Sequence, residues 1–183
     1  MRINSAISVA SRWSSSLVMM IPPRVVTLLF RERGVAQVSV ADVMAGAGLT
    51  HGGYYKHFAS KDALAVEALN QGLAEVGARL DDIGEPGDES GRAGFLDYYL
   101  SAEHRDSPGE GCPLAGFARD MPSANPDVAA AYAEGVAYYA GKLGDTAAVS
   151  TAVGALLLAR ATAGTELSDR ILAEALAALA KDR

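Results

Sequence analysis

Apolar residues return every third or fourth position along most of this chain, and no stretch alternates convincingly at period two. The pattern predicts an all-α protein. Pro22-Pro23 stop any helix from crossing them, although proline is tolerated in a first helical turn. The following "RVVTLLFRERG" reads as a short helix with Val25, Leu28 and Leu29 on one face and Gly34 as its stop. Ser39 is placed to cap "VADVMAGAG", where Asp42 favours the dipole in the first turn. Val40, Val43, Met44 and Ala47 form the apolar face of that helix, and Gly48 ends it. Thr50 is the next capping candidate, opening a third short helix through about His57. Ser60 caps a longer one, "KDALAVEALNQGLAEVGARL", with Leu64, Leu69, Val76 and Leu80 roughly on one side.

Further along, "GEPGDESG" is a loop and "RAGFLDYYLSAEHR" predicts one helix, broken by "DSPGEG". Pro113 opens another through about Met121. Asn125 then Pro126 is a cap followed by proline at the first helical position, starting a helix to Leu143. Asp145 is expected to cap "TAAVSTAVGALLLARATAG", and Ser168 to cap "DRILAEALAALAKDR". No internal repeat is present.

The segment from His51 to Phe58 departs from ordinary helix composition. Adjacent glycines, Gly52 and Gly53, are costly in a helix, up to ~1 kcal/mol each relative to alanine. At about 100° per residue, Tyr54 and Phe58 share one face and bury with Leu49, while Gly52 and Lys56 point away and His51 and Tyr55 flank them. Thin backbone followed by donors suits close approach to an anion such as phosphate. Two short helices joined through Gly48-Leu49, the second presenting donors outward, describe a helix-turn-helix whose second helix enters a major groove.

Charge sharpens this. The net charge is −6, but residues 1–61 carry seven Lys/Arg against two Asp/Glu, and residues 62–183 carry nine against twenty. A basic front and an acidic rear imply that one end meets an anion. The lone Cys112 excludes an internal disulfide framework and fits a reducing cytoplasm. No apolar run reaches the roughly 18 residues needed to span a bilayer. The start "MRINSAISVASRWSSSLVMMIPP" lacks the compact apolar region of a signal peptide. His51, His57 and His104 lack the company of a metal site, so neither metal nor cofactor is expected. No nucleophile stands with a base, no catalytic carboxylates pair, and no phosphate loop follows a strand, so an enzyme is not expected.

The stretch "FRERGVAQVSVADVMAGAGLTHGGYYKHFASKDAL" resembles the DNA-binding region of the tetracycline-repressor (TetR) family of bacterial transcription regulators, over about Leu29 to Leu64. The matching pieces are "LF-x-E-x-G", "S-V-x-D-V", "A-G-L-T", "Y-x-H-F" and "S-K-x-x-L". The resemblance implies roles. Thr50, His51, Gly52 and Gly53 match the start of the recognition helix, Tyr55, His57 and Lys61 match phosphate-holding positions, and Ser39 matches a capping hydroxyl that also meets phosphate. Lys56 joins them as an outward donor. The chain departs from the family where Pro22-Pro23 replace an Ile-Leu pair of helix one, and residues 1–21 do not resemble it.

The division expected is 1–23 as an atypical extension, poorly ordered, 24–66 as the helix-turn-helix domain, and 67–183 as a helical effector-binding and dimerisation domain. The resemblance implies double-stranded operator DNA, a small-molecule effector and a homodimer formed through the last two helices, with Gly154 permitting close approach. It implies no membrane partner, a bacterial cytoplasmic location at the nucleoid, and a repressor. Phe95, Tyr98, Tyr99, Cys112, Phe117 and Tyr132 are candidates to line the effector pocket, as are Tyr138 and Tyr139, although most of the aromatics are expected to be plain core. The rival reading is a helical binding protein of the same fold that has lost DNA binding through its altered first helix.

Overall fold

The computed structural model describes residues 23–48, 60–81 and 89–181. The recognition segment 49–59 and the extension 1–22 lie outside the described residues, as does the Leu80 side chain. Among the described residues there are helices and turns and no strand.

Helix α1, Pro23–Arg33, starts on a proline and ends at Gly34, whose φ of +83° only glycine adopts without strain. Its buried face is Val26, Leu29 and Phe30, joined by Thr27 and Arg31. Val25 and Leu28, expected on that face, are only half-buried. The helix is rotated so that Arg31 points inward, where its neighbours can bond it.

Helix α2, Val40–Gly46, buries Val43 and Met44 beneath a capping box in which Ser39 and Asp42 satisfy each other's backbone N–H. Gly48, at φ +68°, ends it as expected. Helix α3, Lys61–Asp81, is capped by Ser60, whose hydroxyl accepts from the Ala63 N–H at 3.1 Å. It is the spine of the molecule, packing on α1 at one end and on the body at the other. Its continuous run crosses position 66, where the sequence pattern divides the chain.

The predicted helix over 92–105 is two helices, α4, Glu89–Tyr99, and α5, Ala102–Asp106. The break has a local cause: Ser101 is extended, and its hydroxyl accepts from the His104 N–H at 3.1 Å, restarting the helix. A 3-10 turn, Pro108–Glu110, leads to α6, Pro113–Phe117, which tightens into a 3-10 segment, Ala118–Ser123, containing Pro122. Helix α7, Pro126–Leu143, has the predicted Asn125 cap at 3.0 Å and stops at Gly144, φ +115°. Asp145 caps α8, Thr146–Ala161, at 2.8 Å.

The last helix, α9, spans Glu166–Lys181, so Ser168 is not its cap. Thr165 takes that place, its hydroxyl accepting from the Ser168 N–H at 3.3 Å. Ser168 is fully buried instead, donating to the Ala159 carbonyl at 2.7 Å and accepting from Arg105 at 3.0 Å. A buried hydroxyl joining the end of α8 to the start of α9 does more than a cap one turn earlier. Arg92 performs a similar task at the far ends, donating to the Leu143 and Leu179 carbonyls that close α7 and α9.

One continuous core runs from Val26 through Leu73 and Tyr139 to Leu179. No single helix among the described residues is long and apolar enough to cross a membrane. At the junction of α1 with the body, Gly116 lies so near that an added Cβ would stand 2.9 Å from the Arg31 Cα, a backbone atom. Gly116→Ala is therefore expected to destabilise the protein by about 1–3 kcal/mol through overpacking. Gly94→Ala, where a Cβ meets nothing within 4 Å, is expected to stabilise α4 by roughly 0.5–1 kcal/mol. Urea midpoints of the two variants against the parent check both signs.

Candidate nucleic-acid interface and its anchorage

Two of the residues implied in DNA contact, Ser39 and Lys61, lie within the described residues. Thr50, His51, Gly52, Gly53, Tyr55, Lys56 and His57 lie outside them. Ser39 is exposed at the start of α2, its hydroxyl accepting from the Asp42 N–H at 3.1 Å and donating to the Asp42 carboxylate. Those bonds hold the Asp42 carboxyl below its ordinary value. Lys61, half-buried, reaches back so that Nζ donates to the Ala36 carbonyl at 3.4 Å. Lys61 and Ser39 thus stand at two ends of the turn between α1 and α2.

That turn is held by the body. Asp120, from the 3-10 segment after α6, accepts from the Val35 N–H at 2.9 Å and the Ala36 N–H at 3.1 Å. Its neighbour Arg119 donates to the Glu32 carbonyl at 2.9 Å, at the open end of α1. Gly34 has no room for a side chain: a Cβ would fall 2.6 Å from Arg119 Nε. One short segment therefore satisfies both a free carbonyl and two free amides where the first helix ends.

A second anchor comes from the opposite direction. Arg31 of α1 enters the body with its side chain only 3% exposed. It donates to the Gly109 carbonyl at 3.3 Å and pairs with Glu75 of α3 at 3.2 Å. Gly72 and Gly116 make the channel, since a Cβ at Gly72 would collide with the guanidinium at 2.3 Å. Desolvation lowers the Arg31 pKa, and Glu75 opposes that shift. Phe30 adds an edge-to-face contact with Phe117, centroids 6.1 Å apart.

Neither anchor was identified in the sequence. An arginine beside Phe30 in an otherwise apolar turn, with small residues at Gly72 and Gly116 to receive it, is the signal that was available for the second. The first has no local signal, because Asp120 is 84 and 85 positions from its partners.

Most of the pocket candidates are core. Phe95, Tyr99, Cys112 and Phe117 are buried, Tyr132 is half-buried and Tyr98 is exposed. None of the six lines either of the two clefts described below. Tyr98 and Tyr99 pack on His104 with centroids 5.4 and 4.8 Å away. Tyr132 donates to the Leu114 carbonyl at 2.9 Å, and burial pushes its pKa up to about 12. The Cys112 thiol lies 3.6 Å from the Tyr139 hydroxyl. His104 has both ring nitrogens occupied, Nδ1 by the Tyr99 carbonyl at 2.7 Å and Nε2 by the Cys112 N–H at 3.0 Å. This arrangement fixes the neutral tautomer with the proton on Nδ1.

Clefts open on the surface of the described residues. One, about 330 Å³, lies between α1 and α3 and is lined by Arg24, Arg31 and Arg79 with Glu75 and Glu110. Another, about 810 Å³, lies between α1, α6 and α8.

Among the described residues, a capped α2 lies beside α1, and the long α3 runs from them into a helical body. Residues 28–68 match the model of the bacterial regulatory proteins of the tetR family. The HTH-type transcriptional repressor KstR2 of Mycobacterium tuberculosis is 42% identical over 55 residues, which are 30% of this chain and 28% of that protein. The HTH-type transcriptional repressor DhaR of Mycobacterium sp. (strain GP1) is 27% identical over 99 residues, 52% of this chain and 48% of that one. The chain thus spans less than a third of the first relative and about half of the second. The fold is that of Escherichia coli NemR in its reduced form (TM-score 0.65, 20% identity, 86% and 94% of the two chains). It is also that of a TetR transcriptional regulator from Chloroflexus aurantiacus (TM-score 0.67, 21% identity, 86% and 90%). Residues 28–68 are thus similar to the tetR-family regulators, and the chain shares the fold of the two solved proteins.

Burial gives the stability a definite pH dependence. Desolvation lowers the His104 pKa from 6.5 to about 4 in the folded state. The unfolded chain takes up this proton near 6.5, so acid favours unfolding from pH 6.5 down to about 4, and the effect is complete below that. Urea titrations across this range are expected to show about 3 kcal/mol of loss from this group. In His104→Gln the difference between pH 7 and pH 4.5 should shrink by a comparable amount.

Proposed function

We propose that this protein is a homodimeric, sequence-specific DNA-binding transcriptional repressor that leaves its operator when a small-molecule effector binds the helical body. The observation that carries the reading is the match of residues 28–68, which contains the donor-rich stretch 51–57, combined with a capped α2 and an α1 anchored to the body. Within it, Thr50, His51, Gly52 and Gly53 meet base edges and nearby phosphates, while Tyr55, Lys56, His57, Lys61 and Ser39 hold the backbone. For Ser39 this requires its hydroxyl to turn from Asp42 toward phosphate. The repressor names of KstR2 and DhaR support the direction of control.

A homodimer presents two recognition helices to two half-sites. The contact assigned to it is the α8–α9 pair. Leu157, Leu158 and Leu167 are exposed there, and a Cβ at Gly154 meets nothing within 4 Å, so the surface is apolar and thin enough for a second copy to approach. Effector release is a population shift: a ligand that favours one placement of α1 on the body changes the spacing of the recognition helices.

A second reading follows from Pro22-Pro23, which stand where the resembled family has an Ile-Leu pair of its first helix: the fold persists as a binding protein without DNA affinity. Gel-shift titration with the protein's own promoter region decides between them. Preferential retention of that fragment over random DNA is expected, with affinity falling steeply with salt. Lys61→Ala is expected to weaken binding to all sequences alike and to reduce the slope of log affinity against log salt by about 1. Equal retention of promoter and random DNA would leave the second reading standing.

A further inference from the structure

We infer that the cleft between α1, α6 and α8 binds a small organic anion with an apolar body through Arg119 and Arg160, and that occupancy acts on the anchorage of α1. The regulatory half of this rests on the effector-responsive reading above. At about 810 Å³ the cleft has the size of small-molecule sites, which run roughly 300–1,000 Å³.

Its charge is one-sided. Arg31, Arg105, Arg119 and Arg160 reach it against Glu32 and Asp106. The four cations differ in how they are balanced. Arg105 pairs with Asp106 and Asp169, and Arg31 pairs with Glu75. Arg160 is half-buried and, among the described residues, bonds to the carbonyls of Arg105, at 3.1 Å, and His104, at 2.9 Å. Arg119 bonds to the Glu32 carbonyl. Neither has a carboxylate partner among the described residues. A guanidinium taken partly out of water without an opposite charge is held at a desolvation cost that carbonyls offset incompletely. A carboxylate or phosphate group supplies that charge in the planar, two-pronged geometry a guanidinium favours. Ala115, Ala118, Leu157 and Ala161 give the wall an apolar stretch for the rest of the ligand.

The position of Arg119 makes the site consequential. The same side chain caps the end of α1, and the adjacent Asp120 holds the amides of Val35 and Ala36. An anion that draws the Arg119 guanidinium away from the Glu32 carbonyl loosens the first helix where it joins the body. Leu157 is shared with the proposed subunit contact, so the site is tested on the full chain in its solution state.

Isothermal titration with octanoate, octyl phosphate and octan-1-ol tests the site. Both anions are expected to bind, the alcohol at least tenfold more weakly, and Arg119→Gln and Arg160→Gln each to weaken anion binding at least tenfold. If Arg160→Gln loses its cooperative thermal transition, Arg119→Gln decides alone, because Arg119 is exposed. No heat with either anion, equal binding of the alcohol, or unchanged anion binding by Arg119→Gln overturns the site. Promoter retention is scored separately, first without any probe. Saturating octyl phosphate is expected to weaken it at least tenfold in the parent and to have no effect in Arg119→Gln. If octyl phosphate binds yet leaves retention unchanged, the coupling is overturned. If the promoter is not retained even without a probe, the regulatory reading fails while the site is judged by titration alone.

Discussion

The fixed join between the first helix and the body is the constraint on which the rest depends. Short helices have few contacts of their own, and α1 has only 11 residues. Its orientation is set where Asp120 and Arg119 close its end and where Arg31 runs between Gly72 and Gly116 to Glu75. Both joins are polar and directional. They specify one placement of the helix, whereas apolar burial alone would tolerate sliding. The two act from different sides, so tilting α1 must disturb at least one of them. The proposed DNA contact needs that definition, because Ser39 and Lys61 are placed by where α1 and α3 stand.

The body supplies rigidity to match. Its centre is a neutral histidine holding two segments by its two ring nitrogens, with tyrosine rings on either side. Arg160 crosses to the backbone at His104 and Arg105, so the α8 face, the histidine node and the cleft are mechanically one region. A change at the cleft therefore reaches α1 through Arg119 and the body through Arg160. This continuity gives the proposed ligand response its route. It also accounts for the tight glycines at this junction: Gly111 and Gly116 stand where any side chain would displace Arg160, His104 or Arg31.

Legibility in the sequence followed the range of the interaction. Ser39, Ser60, Asn125 and Asp145 cap helices as expected, and Gly34 and Gly48 occupy positive φ at the expected stops, because caps and stops are decided within four residues. Errors arose where a local choice was balanced. Ser101 competes with helix continuation inside a periodic stretch, and Ser168 gives up a cap to bond Ala159 and Arg105, neither of which its neighbours foreshadow. The aromatic residues were open to both readings, pocket or core, because composition cannot distinguish a lined cavity from a filled one.

The sequence by itself therefore determined the all-helical class, the capped helices of the front and the family that residues 28–68 resemble. These are written in periodicity, capping and a contiguous motif. Only the tertiary structure decided which cations are neutralised, which aromatics are core, and that an aspartate 84 residues away holds the turn after the first helix. Those outcomes depend on side chains brought together across the fold, where desolvation and pairing are set by neighbours that no local pattern names.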